Sequence, residues 1–209
     1  YIVKTIGTEA YGFIQLTNNF ITYIAVITIA LNSMSSRFIS VCYFKNDILQ
    51  ANQYFSSTFF ANVAISVILT PIIVVGIFNI SRFINISSNL LADVQILMSL
   101  MAFNFLFGLL CTNLGVSYYV KNKLYLLSLI SIAGTFINAS LLISLFAFHK
   151  PYVAYMGLAA VTVSIFTQSI NVYYTKKLVS ELKIKKIYFQ IKKVKELVLS
   201  GIWNTITQV

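Results

Sequence analysis

The chain is poor in the residues that catalytic and metal chemistry draw on. Its 209 residues include one histidine, two cysteines, five acids and two prolines. Cys42 and Cys111 share no Cys-x-x-Cys spacing and have no partner histidines, which supports neither a disulfide framework nor a zinc site. Both read as small apolar fillers. A nucleotide-binding loop, a carboxylate cluster and a Ser/His/Asp set are missing as well. The reading is therefore of a protein that is not an enzyme, with no catalytic residue, no metal ligand and no cofactor.

Charge is also scarce: 10% of residues are charged and 58% are hydrophobic, whereas soluble domains carry about 25% charged residues. That composition belongs to an integral membrane protein. The charge present is one-sided, with fifteen Lys and Arg against five acids. The lysines crowd beside apolar spans with no base-stacking aromatics among them. This pattern points to anionic phospholipids as partners and away from nucleic acid.

Five apolar segments are long enough to cross a hydrocarbon core, which takes about 20 helical residues. They run from Gly12 to Ser36, Thr58 to Phe78, Val94 to Val116, Leu124 to Phe148 and Tyr152 to Tyr174. Membrane barrel strands would be alternating segments of about 10 residues, so the expected class is all-α and polytopic. The run 175–196 holds eight of the fifteen basic residues. If it is cytoplasmic, Arg37, Lys45, Lys121 and Lys123 share its side, while Lys4, Arg82 and Lys150 face out; this is the orientation that basic residues prefer.

Residue 1 is then outside, one span is expected upstream, and Leu197 to Val209 reads as the first turns of another. The sequence is thus expected to be a piece of a longer chain: a lobe over 1–174, a basic cytoplasmic linker over 175–196, and the start of a further span over 197–209. Ile187, Ile191, Val194 and Val198 recur at helical spacing, which predicts an amphipathic helix on the inner leaflet with its lysines among head groups. Phe38 to Ser57 is expected to continue helically into the second span, and 77–93 to hold a short interfacial helix. Pro71 should kink the second span, and Gly108, Thr112 and Gly115 offer a small face for close helix packing. His149 belongs to an outer turn.

The first span is the unusual one. At 100° per residue, Gln15, Asn18, Asn19, Thr22, Asn32, Ser33, Ser36 and Arg37 fall on one side. Such a stripe is costly against lipid, so it lines either a water-filled cavity or a polar seam between helices. Arg37, at its cytoplasmic end, is either a snorkelling cation or the ligand of an anionic head group, since guanidinium pairs bidentately with phosphate. Asn104, Asn113, Asn138 and Asn171 add polarity to later spans. Asp93 and Glu9 are candidates for ion coupling, or simply acids at helix starts, where the macrodipole favours them.

Three stretches, in order, resemble the polysaccharide flippases, the oligosaccharide branch of the superfamily that also includes multidrug extrusion carriers. They are Ile6-Gly7-Thr8-Glu9-Ala10-Tyr11-Gly12, Ala30-Leu31-Asn32-Ser33-Met34-Ser35-Ser36-Arg37, and Ser200-Gly201-Ile202-Trp203-Asn204 with Gln208. The resemblance implies spans two to six of a two-lobed carrier, the basic inter-lobe linker, and the opening of span seven. It further implies alternating access in the bacterial inner membrane. The substrate would be an undecaprenyl-pyrophosphate-linked oligosaccharide and the driving force a proton or sodium gradient, with Arg37 and the polar face of the first span in the transport path. The competing readings are a multidrug or cation antiporter of the same superfamily and a membrane-embedded glycan polymerase or acyltransferase.

Overall fold

The computed structural model describes residues 6–149 and 151–208, with side chains as far as Ile202. Lys4, Lys150 and the side chains of Trp203, Asn204 and Gln208 lie outside the described residues. Among those described, all regular structure is helical: α1 Thr8–Asn32, α2 Ser35–Phe44, α3 Ile48–Phe78, α4 Ile80–Phe83, α5 Ser88–Cys111, a 3-10 turn Thr112–Gly115, α6 Val116–Val120, α7 Leu124–Phe148, α8 Ala154–Leu178, a 3-10 turn Lys186–Tyr188, and α9 Ile191–Gln208. Five stretches are long and apolar enough to span a membrane: Thr8–Phe44, Ile48–Phe78, Ser88–Val120, Leu124–Phe148 and Ala154–Leu178. Helices are the form this composition requires, because in hydrocarbon each must satisfy its own backbone groups.

Span centres agree with hydropathy, and span ends depart from it wherever polar residues continue the helix. α3 begins at Ile48, well before Thr58. Asp47 starts it by accepting from the Gln50 amide at 2.9 Å and from Gln50 Nε2 at 2.8 Å, an N-cap that supplies one of the acceptors a helix start lacks. α5 begins at Ser88 and α8 runs on to Leu178. The first span breaks at Ser33–Met34 and resumes as α2, while α3 continues through Pro71. The expected interfacial helix is the single turn α4, and His149 caps the end of α7 in extended conformation.

α5 is central, packing on α1, α3 and α8; α7 joins the bundle mainly through α8. Two apolar clusters result. One, towards the α4 end, joins Phe13, Ile14, Ile73, Ile77, Leu97 and Val153; the other, at the lysine-rich end, joins Leu31, Ile39, Tyr54, Phe55, Val116 and Leu197. Lipid tails are as apolar as these side chains, so cohesion within the membrane comes from close packing and hydrogen bonds.

The small residues that allow close packing are not the expected ones. A Cβ placed at Gly108 or Gly115 would meet nothing within 4 Å, because the first borders a cavity and the second lies in the 3-10 break. The tight approaches are at Gly134, where a Cβ would come 3.1 Å from Val163, at Gly157, 2.7 Å from Leu100 Cβ, and at Gly201, where it would overlap the Ala30 carbonyl. Gly157→Ala should cost about 1–3 kcal/mol, the usual cost of overpacking, read as earlier thermal unfolding in detergent. Gly108→Ala should cost nothing.

The linker departs most from expectation. Residues 179–190 are largely non-helical, and the amphipathic helix predicted through Ile187 does not form. A helix starts only at Ile191, and Leu197 with Val194 and Val198 packs into the protein core rather than into lipid. The reason is a set of polar side chains on α3 that compete for the linker backbone. Asn52 Nδ2 donates to the Glu181 carbonyl at 3.0 Å and Asn52 Oδ1 accepts from the Lys183 amide at 2.6 Å. Ser56 donates to the Lys183 carbonyl at 3.0 Å and accepts from the Lys185 amide at 3.2 Å, while Ser57 bonds both backbone groups of Gln190. The segment is a strap laced to α3.

Candidate functional site: a polar face on the first span

The stripe on the first span divides into three parts. Towards its N-terminus, Gln15, Asn18, Asn19 and Thr22 are all exposed. Gln15 donates to the Tyr11 hydroxyl at 3.0 Å and Thr22 to the Asn18 carbonyl at 2.8 Å, both one turn away on the same helix. They leave a polar surface that no other described element covers with a hydrogen bond. In hydrocarbon such a surface is expensive, which marks it as a face turned to water or to a polar partner.

At the C-terminal end of α1 the stripe meets the bundle. Asn32 and Asn62 of α3 exchange reciprocal amide bonds at 3.2 and 2.9 Å, and Asn62 also donates to the Leu109 carbonyl at 3.0 Å. Below them Ser35 bonds Thr58 at 3.0 Å and donates to Asn113 Oδ1 at 2.8 Å, and Asn113 donates to the Phe55 carbonyl at 3.3 Å. The cavity and the seam, alternatives on sequence, are thus both present at Asn32. One side of its helix is sewn to α3, and the other opens into a cavity of about 510 Å³ between α1 and α5. Thr28, Asn32, Ser33, Asn104 and Thr112 are its polar lining. Buried Ser33 Oγ and Asn104 Oδ1 there have no protein partner.

Both helices that wall this cavity are interrupted beside it, α1 at Ser33–Met34 and α5 at the 3-10 turn Thr112–Gly115. Mid-span interruptions of this kind free backbone groups and often mark hinges. A second cavity, about 480 Å³, borders the N-terminal half of α1 together with α3, α4 and α5 and is lined almost wholly by apolar residues such as Phe20, Ile24, Ile72 and Met98.

At the lysine-rich end the stripe closes on half-buried Ser36 and exposed Arg37. Arg37 borders a cavity of about 380 Å³ with Met34, Phe38, Val41 and Ser200 of α9. Its guanidinium makes no ion pair or hydrogen bond among the described residues. Nearby, Lys121 donates to the Tyr43 hydroxyl at 3.0 Å, and Tyr43 donates to Glu181 at 3.0 Å. The phenol raises the Lys121 ammonium above its ordinary pKa, chiefly through that hydrogen bond.

The two acids proposed for ion coupling hold the other end of the bundle together. Glu9 is exposed in the first turn of α1 and accepts from Ser87 Oγ, just before α5, at 2.8 Å. Asp93 does not start its helix but lies in the second turn of α5, buried. Its Oδ2 accepts from the Val153 amide at 2.6 Å and its Oδ1 from the Ala154 amide at 3.0 Å. It is the anionic cap of α8, supplied by a different helix. The partners of Asn62 and the lacing by Asn52, Ser56 and Ser57 escape sequence reasoning, since polar residues on one helix do not name the chain that folds back on them.

Fold and site together define a multi-pass, all-helical membrane protein with a polar intramembrane face. No family model matches the chain, and no solved structure matches it. It is similar, at 32% identity over its full 209 residues, to EpsK of Bacillus subtilis (strain 168), an uncharacterized membrane protein. The chain spans 41% of that protein's length.

Proposed function

We propose that this chain is part of a flippase that moves undecaprenyl-pyrophosphate-linked oligosaccharide repeat units across the bacterial inner membrane for polysaccharide biosynthesis. The observation that carries the reading is the polar stripe: exposed Gln15, Asn18, Asn19 and Thr22 at one end, the uncharged, partly polar cavity at Asn32 and Ser33 further along, and at the lysine-rich end Arg37, which pairs with no described residue. Neutral hydrogen-bonding groups along the path suit sugar hydroxyls, and a free guanidinium at its mouth suits pyrophosphate oxygens. The family resemblance of the ordered motifs supports the same substrate class. The relative in Bacillus subtilis is a membrane protein too, and its name carries no substrate.

The rival reading, an antiporter for cationic drugs, needs an acid available within the membrane. Glu9 and Asp93 are both engaged, Asp93 through both oxygens, so the carrier of an anionic, sugar-bearing lipid is the better fit. Any coupling to protons or sodium would then rest on other groups of the full-length protein.

Arg37→Ala in the full-length protein should lower translocation of lipid-linked sugar by about tenfold or more, the worth of a hydrogen bond to a charged group at about 1.5–3 kcal/mol. Protein level should not change, and Arg37→Lys should recover part of the loss. Undiminished surface polysaccharide in Arg37→Ala cells would remove the residue from the path.

A further inference from the structure

The strap between α8 and α9 leaves a surface that the transport reading does not use. Its backbone is pinned to α3 by Asn52, Ser56 and Ser57, so its outward side chains occupy fixed positions. Those side chains alternate two chemistries. Lys183, Lys185 and Lys186, with Lys192 in the first turn of α9, are exposed, and between them stand exposed Ile184, Ile187, Phe189 and, opening α9, Ile191, with Ile187 at 83%. Neither set has a place in bulk water alone or in hydrocarbon alone.

The length of α3 sets the depth of the strap. About 20 helical residues cross the hydrocarbon, and counted back from exposed Phe78 they end near Phe59. Ser56 and Ser57 therefore lie at the boundary, and Asn52 one turn beyond it, at head-group level. Phe189 meets Phe60 edge-on, with ring centroids 6.0 Å apart, which places one strap side chain at the upper edge of this zone.

The acids at this end are occupied elsewhere. Asp47 caps α3, Glu181 accepts from Tyr43, and Glu196 lies 3.5 Å from Lys193. Lys183, Lys185, Lys186 and Lys192 form no ion pair among the described residues. A surface with uncompensated lysines and protruding aliphatic side chains, at head-group depth, complements one kind of partner.

We propose that the strap and the first turn of α9 are a docking site for anionic phospholipid, with the four lysines on the head-group phosphates and Ile184, Ile187, Phe189 and Ile191 entering the acyl boundary. An extended, laced segment does what an interfacial amphipathic helix does elsewhere, and it ties the position of α9 to the charge of the leaflet. The inference stands whether or not the protein is a flippase.

The test is hydrogen–deuterium exchange on the full-length protein in nanodiscs of phosphatidylcholine alone and of phosphatidylcholine with phosphatidylglycerol. The peptide covering 183–192 should exchange at least about fivefold more slowly in the anionic discs, since even one basic residue near an anionic surface contributes about fivefold to its occupancy. The variant K183Q/K185Q/K186Q/K192Q should lose that difference while α3 and α5 keep their protection. Equal exchange in both discs would overturn the proposal. Strong protection in both discs that survives in the variant would overturn it too, because the strap would then be covered by the protein itself.

Discussion

Asp93→Ala should unfold at markedly lower temperature than the parent protein, with a loss of about 2–4 kcal/mol. The carboxylate is buried and receives the amides of Val153 and Ala154 at 2.6 and 3.0 Å. Removing it strands two backbone donors, and a buried donor without an acceptor costs about 1–3 kcal/mol. The loss should fall on the α5–α8 contact, the one that also holds Gly157 against Leu100. Asp93→Asn keeps one acceptor oxygen and should lose roughly half as much. The same variant separates structure from ion coupling: on the flippase reading proposed above, Asp93→Asn should translocate normally per folded molecule. A variant that is fully stable but inactive would restore Asp93 as a coupling residue.

Asn62→Leu should follow, with a loss of about 2–3 kcal/mol at little change in volume. Asn62 is 1% exposed and makes two bonds with Asn32 and one with the Leu109 carbonyl, linking α1, α3 and α5 at one point. A hydrogen bond between membrane helices is worth about 0.6–2 kcal/mol, and here three are lost at once. Asn32 Oδ1 would be left facing leucine. The double variant Asn32→Leu/Asn62→Leu should recover part of the stability, because replacing both partners removes the stranded group. Thermal unfolding of the two variants and the double checks this directly; a neutral Asn62→Leu would mean that the pair contributes nothing.

These two sites show where sequence reading reaches its limit. The helical class and the five spans follow from apolar runs about 20 residues long, and Leu124–Phe148 agrees to the residue. The polar stripe on the first span was legible as well, since 100° spacing depends only on the chain's own geometry. What its members touch was not legible. Gln15 and Asn18 face outward, Asn32 is half sewn into a seam, and Arg37, beyond the break at Ser33–Met34, pairs with no described residue, although the periodicity puts all four on one side. Asp93 has the sequence look of a helix-start acid, and the helix it caps lies sixty residues further on.

Composition and periodicity, acting through hydration and backbone hydrogen bonding, determined on their own that this chain is a bundle of membrane helices with one polar face and one lysine-rich end. Both act locally, within a helix or between a residue and its solvent, so sequence suffices to read them. Only the tertiary structure decided that the glycines for close packing are Gly157 and Gly201 rather than Gly108 and Gly115, and that the basic linker is a strap rather than a helix. Those outcomes depend on which surfaces meet. An isolated segment with the periodicity of Ile187, Ile191 and Val194 would choose a helix; Asn52, Ser56 and Ser57 offer its backbone other partners, and the contest is settled between segments more than a hundred residues apart.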